Sequence, residues 1–208
     1  LLLDTAGKEP DTALRRYSVV MRRLLSTDEF DAALYLVSPT QDIVDAGHGS
    51  PWWRLQGASA VAQWVASAAD PGFGQLWPSA RDRLEVAFSE YAGSGASDGL
   101  GSQYVGNVVT ALQKTQRAEE AVDLSSWALP VAAKTNNPKE TLFTLCDNAV
   151  SLFCCGRFEE SAMVFESVHQ RAREACDAEA MGWAVNYLRD FGVFSGSPAY
   201  SQALERLR

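Results

Sequence analysis

Cysteine and histidine are scarce in this 208-residue chain, with four of the first and two of the second. Cys146, Cys154, Cys155 and Cys176 all fall in the second half, without C-x-x-C spacing, and no N-x-S/T acceptor occurs. That pattern excludes a disulfide framework and predicts a reducing, cytoplasm-like compartment. His48 and His169 are too few for a zinc site, which needs about four ligands in compact spacing. His169 and Cys176, seven apart, are expected on one helix face, packed or at the surface. No apolar run approaches the roughly 18 residues that cross a bilayer. The opening LLLDTAGKEP lacks a basic leader and the chain ends within an expected helix, so a fragment of a longer protein is expected. Basic surplus is missing too. The net charge is −8 and the pI near 4.8, whereas a general nucleic-acid binder needs a cationic face. Neither half is a charged tail, the deficit being shared about Tyr104. Alternating strand patterns are also absent, which leaves an all-α chain.

What is present is helical periodicity broken by turn residues. Helices are expected over about Asp11–Leu25, then to Val37 after the capping-box pattern Ser26-Thr27-Asp28-Glu29. Further helices fit Ala58–Ala69, Pro78–Tyr91, Gln103–Lys114 and Ala118–Lys134. Between Val37 and Ala58, Pro39, Gly47, Gly49, Pro51 and Gly57 predict an irregular loop insertion, residues 39–57. Trp52, Trp53 and Arg54 would then sit on that loop, as a binding wedge or a plug over the first helices. The run AGSGASDGLGS reads as a flexible connection, since its glycine spacing matches no phosphate-binding loop.

The clearest stretch is Thr141–Ala178. Leu145, Ala149 and Leu152 share one helix face, Gly156 makes a turn, and Phe158, Met163, Phe165 and Val168 follow on a second helix. A hairpin of this kind cannot bury its apolar face alone. Taking Ser161 as reference, equivalent small residues stand at Ala33, Ala80, Ala121 and Ser201, separated by 47, 41, 40 and 40 residues. Sixteen earlier stand Tyr17, Trp64, Val105, Leu145 and Val185. Twelve earlier stand Met21, Ala68, Val109, Ala149 and Arg189, and only Arg189 departs from the pattern. The period predicts five helix hairpins in one domain, residues 11–38, 58–92, 103–134, 139–176 and 177–208.

Leu145, Ala149, Gly156, Phe158, Ser161 and Phe165, with Val105, Leu112, Glu120-Ala121 and Ala128, resemble the tetratricopeptide repeat family, best over residues 103–178. The resemblance implies a superhelical, solenoid-like stack of antiparallel hairpins. The period near 40 exceeds that family's usual ~34. The resemblance further implies that the first helix of each hairpin lines an inner surface able to hold a partner protein segment. The positions so placed are Arg15, Ser18 and Arg22, then Gln103, Thr110 and Lys114, then Phe143, Cys146, Val150 and Phe153, then Trp183, Asn186 and Asp190. A groove basic at one end and apolar at the other is expected. The family's chaperone-binding clamp for a terminal carboxylate is not implied, because its places hold Cys146, Val150, Gly106 and Thr110. Arg15, Arg16, Arg22 and Arg23 would grip an anion or pair with Asp11, Asp28 or Glu29. The functional expectation is a non-catalytic protein-interaction scaffold or adaptor without cofactor or metal. The alternative is a ligand-sensing regulatory domain of a larger signalling or transcription-regulating protein.

Overall fold

The structure, a computed structural model, describes residues 9–68, 71–95 and 100–207, and among these it contains helices and no strand. The expected helix stop at Asp70 and the middle of the glycine-serine connection, residues 96–99, lie outside the described residues. In chain order the helices are α1 (Pro10–Ser26), α2 (Phe30–Asp45), α3 (Pro51–Ser67), the single turn α4 (Pro71–Gly74), α5 (Trp77–Gly93), α6 (Gly101–Lys114), α7 (Ala118–Ala132), α8 (Pro138–Cys154), α9 (Phe158–Glu174), α10 (Ala178–Ser195) and α11 (Pro198–Arg206). Packing follows chain order. α1 lies on α2 and α3, α3 on α5 and α6, α6 on α7 and α8, α8 on α9, and α9 on α10 and α11, as a helical stack would.

The expected loop at residues 39–57 is not there. α2 runs through Pro39 to Asp45, and α3 begins at Pro51, leaving only a short link between them. Proline costs a helix the amide that would bond four residues back. Here that carbonyl belongs to Tyr35, a residue 83% exposed, where water is free to replace the lost donor. Pro51 sits in the first turn of α3, where its missing N–H has no helical partner to lose. Trp52, Trp53 and Arg54 are therefore helical. Trp52 packs between Tyr91 and Tyr104, at ring-centroid distances of 5.7 and 5.1 Å, and Arg54 meets Glu90 at 2.8 Å.

α3 is the central helix. Every residue from Leu55 to Ala62 is buried, because α1, α2, α5 and α6 surround it. A helix buried all round has no polar stripe, so its small residues look like a turn in the sequence. They are small for a reason. A Cβ at Gly57 would stand 3.0 Å from Leu14 Cδ2 and 3.2 Å from Thr40 Cγ2. Trp64, 2% exposed, fills the other end and donates its indole N–H to Phe30 O at 3.0 Å.

Turns recur in one form. The amide of Glu29 reaches Leu24 O (2.8 Å), Arg117 reaches Leu112 O (2.8 Å), Arg157 reaches Leu152 O (2.9 Å) and Asp177 reaches Ala172 O (2.8 Å). Each closes a Schellman-type helix end around one left-handed residue: Asp28 (φ 59°), Gln116 (φ 62°), Gly156 (φ 75°) and Cys176 (φ 55°). At two of them the next helix opens on the same fork. Arg117 donates to Glu120, and Arg157 to Glu160, through paired bonds of 2.7–2.8 Å, 40 residues apart.

Two helix starts are capped from a distance. Asp11 on α1 accepts the Ser50 amide at 2.6 Å, just ahead of α3. Glu140 on α8, fully buried, accepts the amides of Gly101 (2.8 Å) and Ser102 (2.6 Å) and the Tyr91 hydroxyl (2.9 Å). A carboxylate at a helix N-terminus satisfies orphan donors and complements the dipole. Only glycine fits at position 101, since a Cβ would come within 2.3 Å of the Tyr91 ring.

The expected reference positions Ala33, Ala80, Ala121 and Ser161 are all buried, as are Tyr17, Trp64, Val105 and Leu145. The fifth unit departs. Val185 is 37% exposed and Ser201 exposed, while Ala184, Leu188 and Tyr200 are buried, so its register lies one residue earlier. His169 and Cys176 do not share a helix face, because α9 ends at Glu174 and Cys176 occupies the left-handed turn beyond it. His169 is buried and Cys176 exposed.

Candidate functional site

A cleft of about 430 Å³ opens where α1, α3 and α6 meet. α1 contributes Arg22, Leu25 and Ser26; α3 contributes Gln63 and Ser67; α6 contributes Asn107, Thr110, Ala111 and Lys114. Asp28, Phe30 and Thr115 complete it. The walls are held by cross-helix bonds: Ser59 Oγ donates to Tyr104 O at 2.7 Å, and Thr115 Oγ1 to Ala66 O at 3.0 Å. α6 supplies a polar row because Asn107, Thr110 and Lys114 recur three and four residues apart, on a face away from buried Val105, Val108, Val109 and Leu112.

Arg22 is held in place. Its Nη2 donates to Gln56 Oε1 at 2.9 Å, and the guanidinium lies 4.9 Å over the Tyr104 ring. Lys114 is exposed at the mouth. Gln63 lines the cleft, and its Oε1 is buried without a hydrogen-bond partner. Two cations against one acid, Asp28, with two side-chain amides and threonine hydroxyls, suit a ligand that offers backbone N–H groups and an acid.

Of the residues expected on an inner surface, this cleft unites Arg22, Thr110 and Lys114. Arg15 stands apart, exposed, 5.9 Å from the centre of the Trp53 ring, and Gln103 is exposed on the first turn of α6. Two of the acids expected to pair with Arg15, Arg16, Arg22 and Arg23 are engaged elsewhere: Asp11 accepts the Ser50 amide, and Glu29 accepts from Thr27 at 2.8 Å. Farther along the chain, Phe143 meets Trp183 with ring centres 5.0 Å apart. Cys146 is buried, and burial pushes its thiol up to about 12, which makes it inert. Val150 and Phe153 pack into the core of α8 to α11, Phe153 stacking on Phe191 at 3.9 Å. Asn186 and Asp190 are exposed on α10.

Sequence reasoning missed Gln63, Asn107 and Asp147. Gln63 lay in a helix whose polar residues gave no stripe. Asn107 continues the row Gln103, Thr110, Lys114 and was legible from that spacing. Asp147 sits beside Cys146 on α8, against the backbone of α6: a Cβ at Gly106 would lie 2.4 Å from its Oδ2. Desolvation raises its carboxyl pKa to about 7. Among the described residues no group of three metal-ligating side chains occurs, and no helix is long and apolar enough to cross a membrane. No protein-family model, curated protein or solved structure matches the chain.

Proposed function

We propose that the chain is a non-catalytic interaction scaffold, a tetratricopeptide-like solenoid of helix hairpins whose inner surface holds a segment of a partner protein. The observation that carries this reading is the polar cleft between α1, α3 and α6, which joins Arg22, Thr110 and Lys114 with the unpartnered acceptor of Gln63. An extended segment would hydrogen-bond through its main chain to Asn107 and Thr110 and set an acidic side chain between Arg22 and Lys114.

Selection of a random peptide library on the purified protein tests it. Recovered peptides should be enriched in Asp and Glu and should lose at least tenfold in affinity for Thr110→Trp, which fills the cleft, and for Lys114→Glu, with unchanged melting temperatures. Equal binding to both variants would place the partner surface elsewhere.

The cleft volume also falls within the ~300–1,000 Å³ range of small-molecule sites. That observation favours a second reading, a ligand-sensing regulatory domain. Reproducible thermal stabilisation by an acidic metabolite, abolished by Thr110→Trp, would select it over the scaffold.

A further inference from the structure

Arg22 differs from the other half-buried arginines in what it meets. Among the described residues Arg54, Arg81, Arg83, Arg117 and Arg157 are likewise half-buried, and each reaches a carboxylate at 2.6–2.8 Å. Arg22 reaches none among the described residues. Its Nη2 donates instead to Gln56 Oε1 at 2.9 Å, an amide the length of a glutamate but without the charge. An arginine only donates, so the oxygen end of that amide must face it. Gln56 lies 3% exposed on the central helix α3, where an uncharged polar group is costly unless hydrogen-bonded. The other support is a ring. The guanidinium lies 4.9 Å from the centre of Tyr104, which is fixed in turn by Trp52 edge-on at 5.1 Å and by Ser59 Oγ, 2.7 Å from its carbonyl oxygen. The guanidinium is therefore oriented but not neutralised, on the wall of the 430 Å³ cleft. The one acid in the cleft lining, Asp28, makes no ion pair among the described residues, and neither does Lys114 at the mouth.

We propose that Arg22 is the receptor for a carboxylate brought by the ligand, and that Gln56 and Tyr104 are the positioning residues that keep its charge free. The inference rests on the cleft reading above and adds to it which residue takes the acid and what sets the preference for one. A carboxylate at position 56 would occupy the guanidinium from inside the protein. The neutral amide holds it in place and leaves its charge and remaining N–H groups for an incoming acid. Lys114, exposed at the rim, adds attraction that salt screens, and so contributes to the approach of the ligand more than to the choice of group.

The experiment titrates isotope-labelled full chain with acetyl-Gly-Gly-Glu-Gly-Gly-amide at constant ionic strength, following the Arg22 Nε–H and the Thr110 amide by NMR. Saturable shifts are expected, with at least tenfold weaker binding of the peptide that carries Gln in place of Glu. Arg22→Lys keeps the charge but loses the fork and the ring contact, and should weaken binding at least tenfold. Gln56→Glu separates positioning from support. It keeps the length and the acceptor, so a purely structural role leaves binding unchanged, whereas a positioning role predicts at least tenfold weaker binding at an unchanged or raised melting temperature. Tyr104→Phe, which keeps the ring, should bind as the wild type does. Equal affinity for the Glu and Gln peptides, or full binding by Arg22→Lys, would overturn the receptor, and the peptide pair needs only the wild-type chain should a variant fail to fold. Full binding by Gln56→Glu would overturn its positioning role. Sodium glutarate separates the sources with Arg22 kept as receptor: a tighter peptide assigns the carboxylate to a partner segment, and equal or tighter glutarate assigns it to a free metabolite. If Thr110→Trp abolishes peptide binding while Gln56→Glu and Arg22→Lys do not, the cleft stands and this inference falls. If all three bind as the wild type does, the cleft reading falls as well.

Discussion

The chain divides into two unlike regions. From Met21 to Ala132, helices α1 to α7 share one continuous apolar core organised around α3, with Trp64, Phe88 and Tyr91 at its centre. From Leu142 to Ala203, helices α8 to α11 enclose two smaller clusters, one aliphatic and one built from Phe165, Phe153, Phe191 and Tyr200. The second region contains the stretch that most resembles a repeat consensus, yet the first contains the larger core. The α8–α9 pair shows a readable stripe because α9 keeps a polar face to solvent, with Glu159, Glu160 and Glu174 on it. A central helix is buried on every side and loses the stripe.

The strongest way to break the first region is Trp64→Ala, which removes the largest fully buried side chain and its bond to Phe30 O; a loss of about 4–5 kcal/mol is expected by urea unfolding. Phe165→Ala in the second region should instead split the unfolding curve, with α8–α11 melting first. Next in size is Glu140→Ala, which removes the acceptor shared by two amides and the Tyr91 hydroxyl between the regions. It should cost about 3 kcal/mol and raise amide exchange at Gly101 and Ser102.

Asp147→Asn works in the opposite direction. Its folded pKa of about 7 lies above the ordinary 3.8, so the folded state binds the proton more tightly, and wild-type stability falls as pH rises from about 4 to 7 and levels above 7. The variant should therefore gain about 2 kcal/mol at pH 8, below the ~4 that such a shift allows for a fully dry group, and nothing near pH 4. A thermal melt at the two pH values checks the sign. Smallest is Gln116→Gly, which relieves a left-handed non-glycine residue at the position that Gly156 occupies in the next unit; a gain of about 1 kcal/mol is expected.

Legibility followed the same divide. The bounds of α8 and α9, the turn at Gly156 and the buried faces through Leu145 and Phe165 were readable because local signals and tertiary burial agree there. α3 was not, since Gly57, Ser59 and alanines mean close approach in a crowded centre and a turn elsewhere. Pro39 misled for a related reason: whether proline ends a helix depends on whether the carbonyl it deprives can reach water. Arg22 and Lys114 were placed on one surface by the family resemblance, but that they share a cleft depends on how α1 and α6 pack about α3. The fifth unit slipped by one residue because Ala184 and Leu188 fill the neighbouring helix better than Val185 and Arg189 would. Asp147 gave no signal, as an isolated acid on a helix reads as solvated surface until a glycine on another helix is seen against it.

The two long-range caps differ in when they arrive. Asp11 leaves the ribosome before the helix it caps, and waits for Ser50. Glu140 follows Gly101 by 39 residues, a delay of about 2–8 s at ordinary rates of synthesis. During that interval the first turn of α6, and with it one wall of the cleft, has no carboxylate to hold it. The cleft is thus completed by a residue from the region that does not line it, and a chain halted before α8 would carry every cleft residue without the finished cleft.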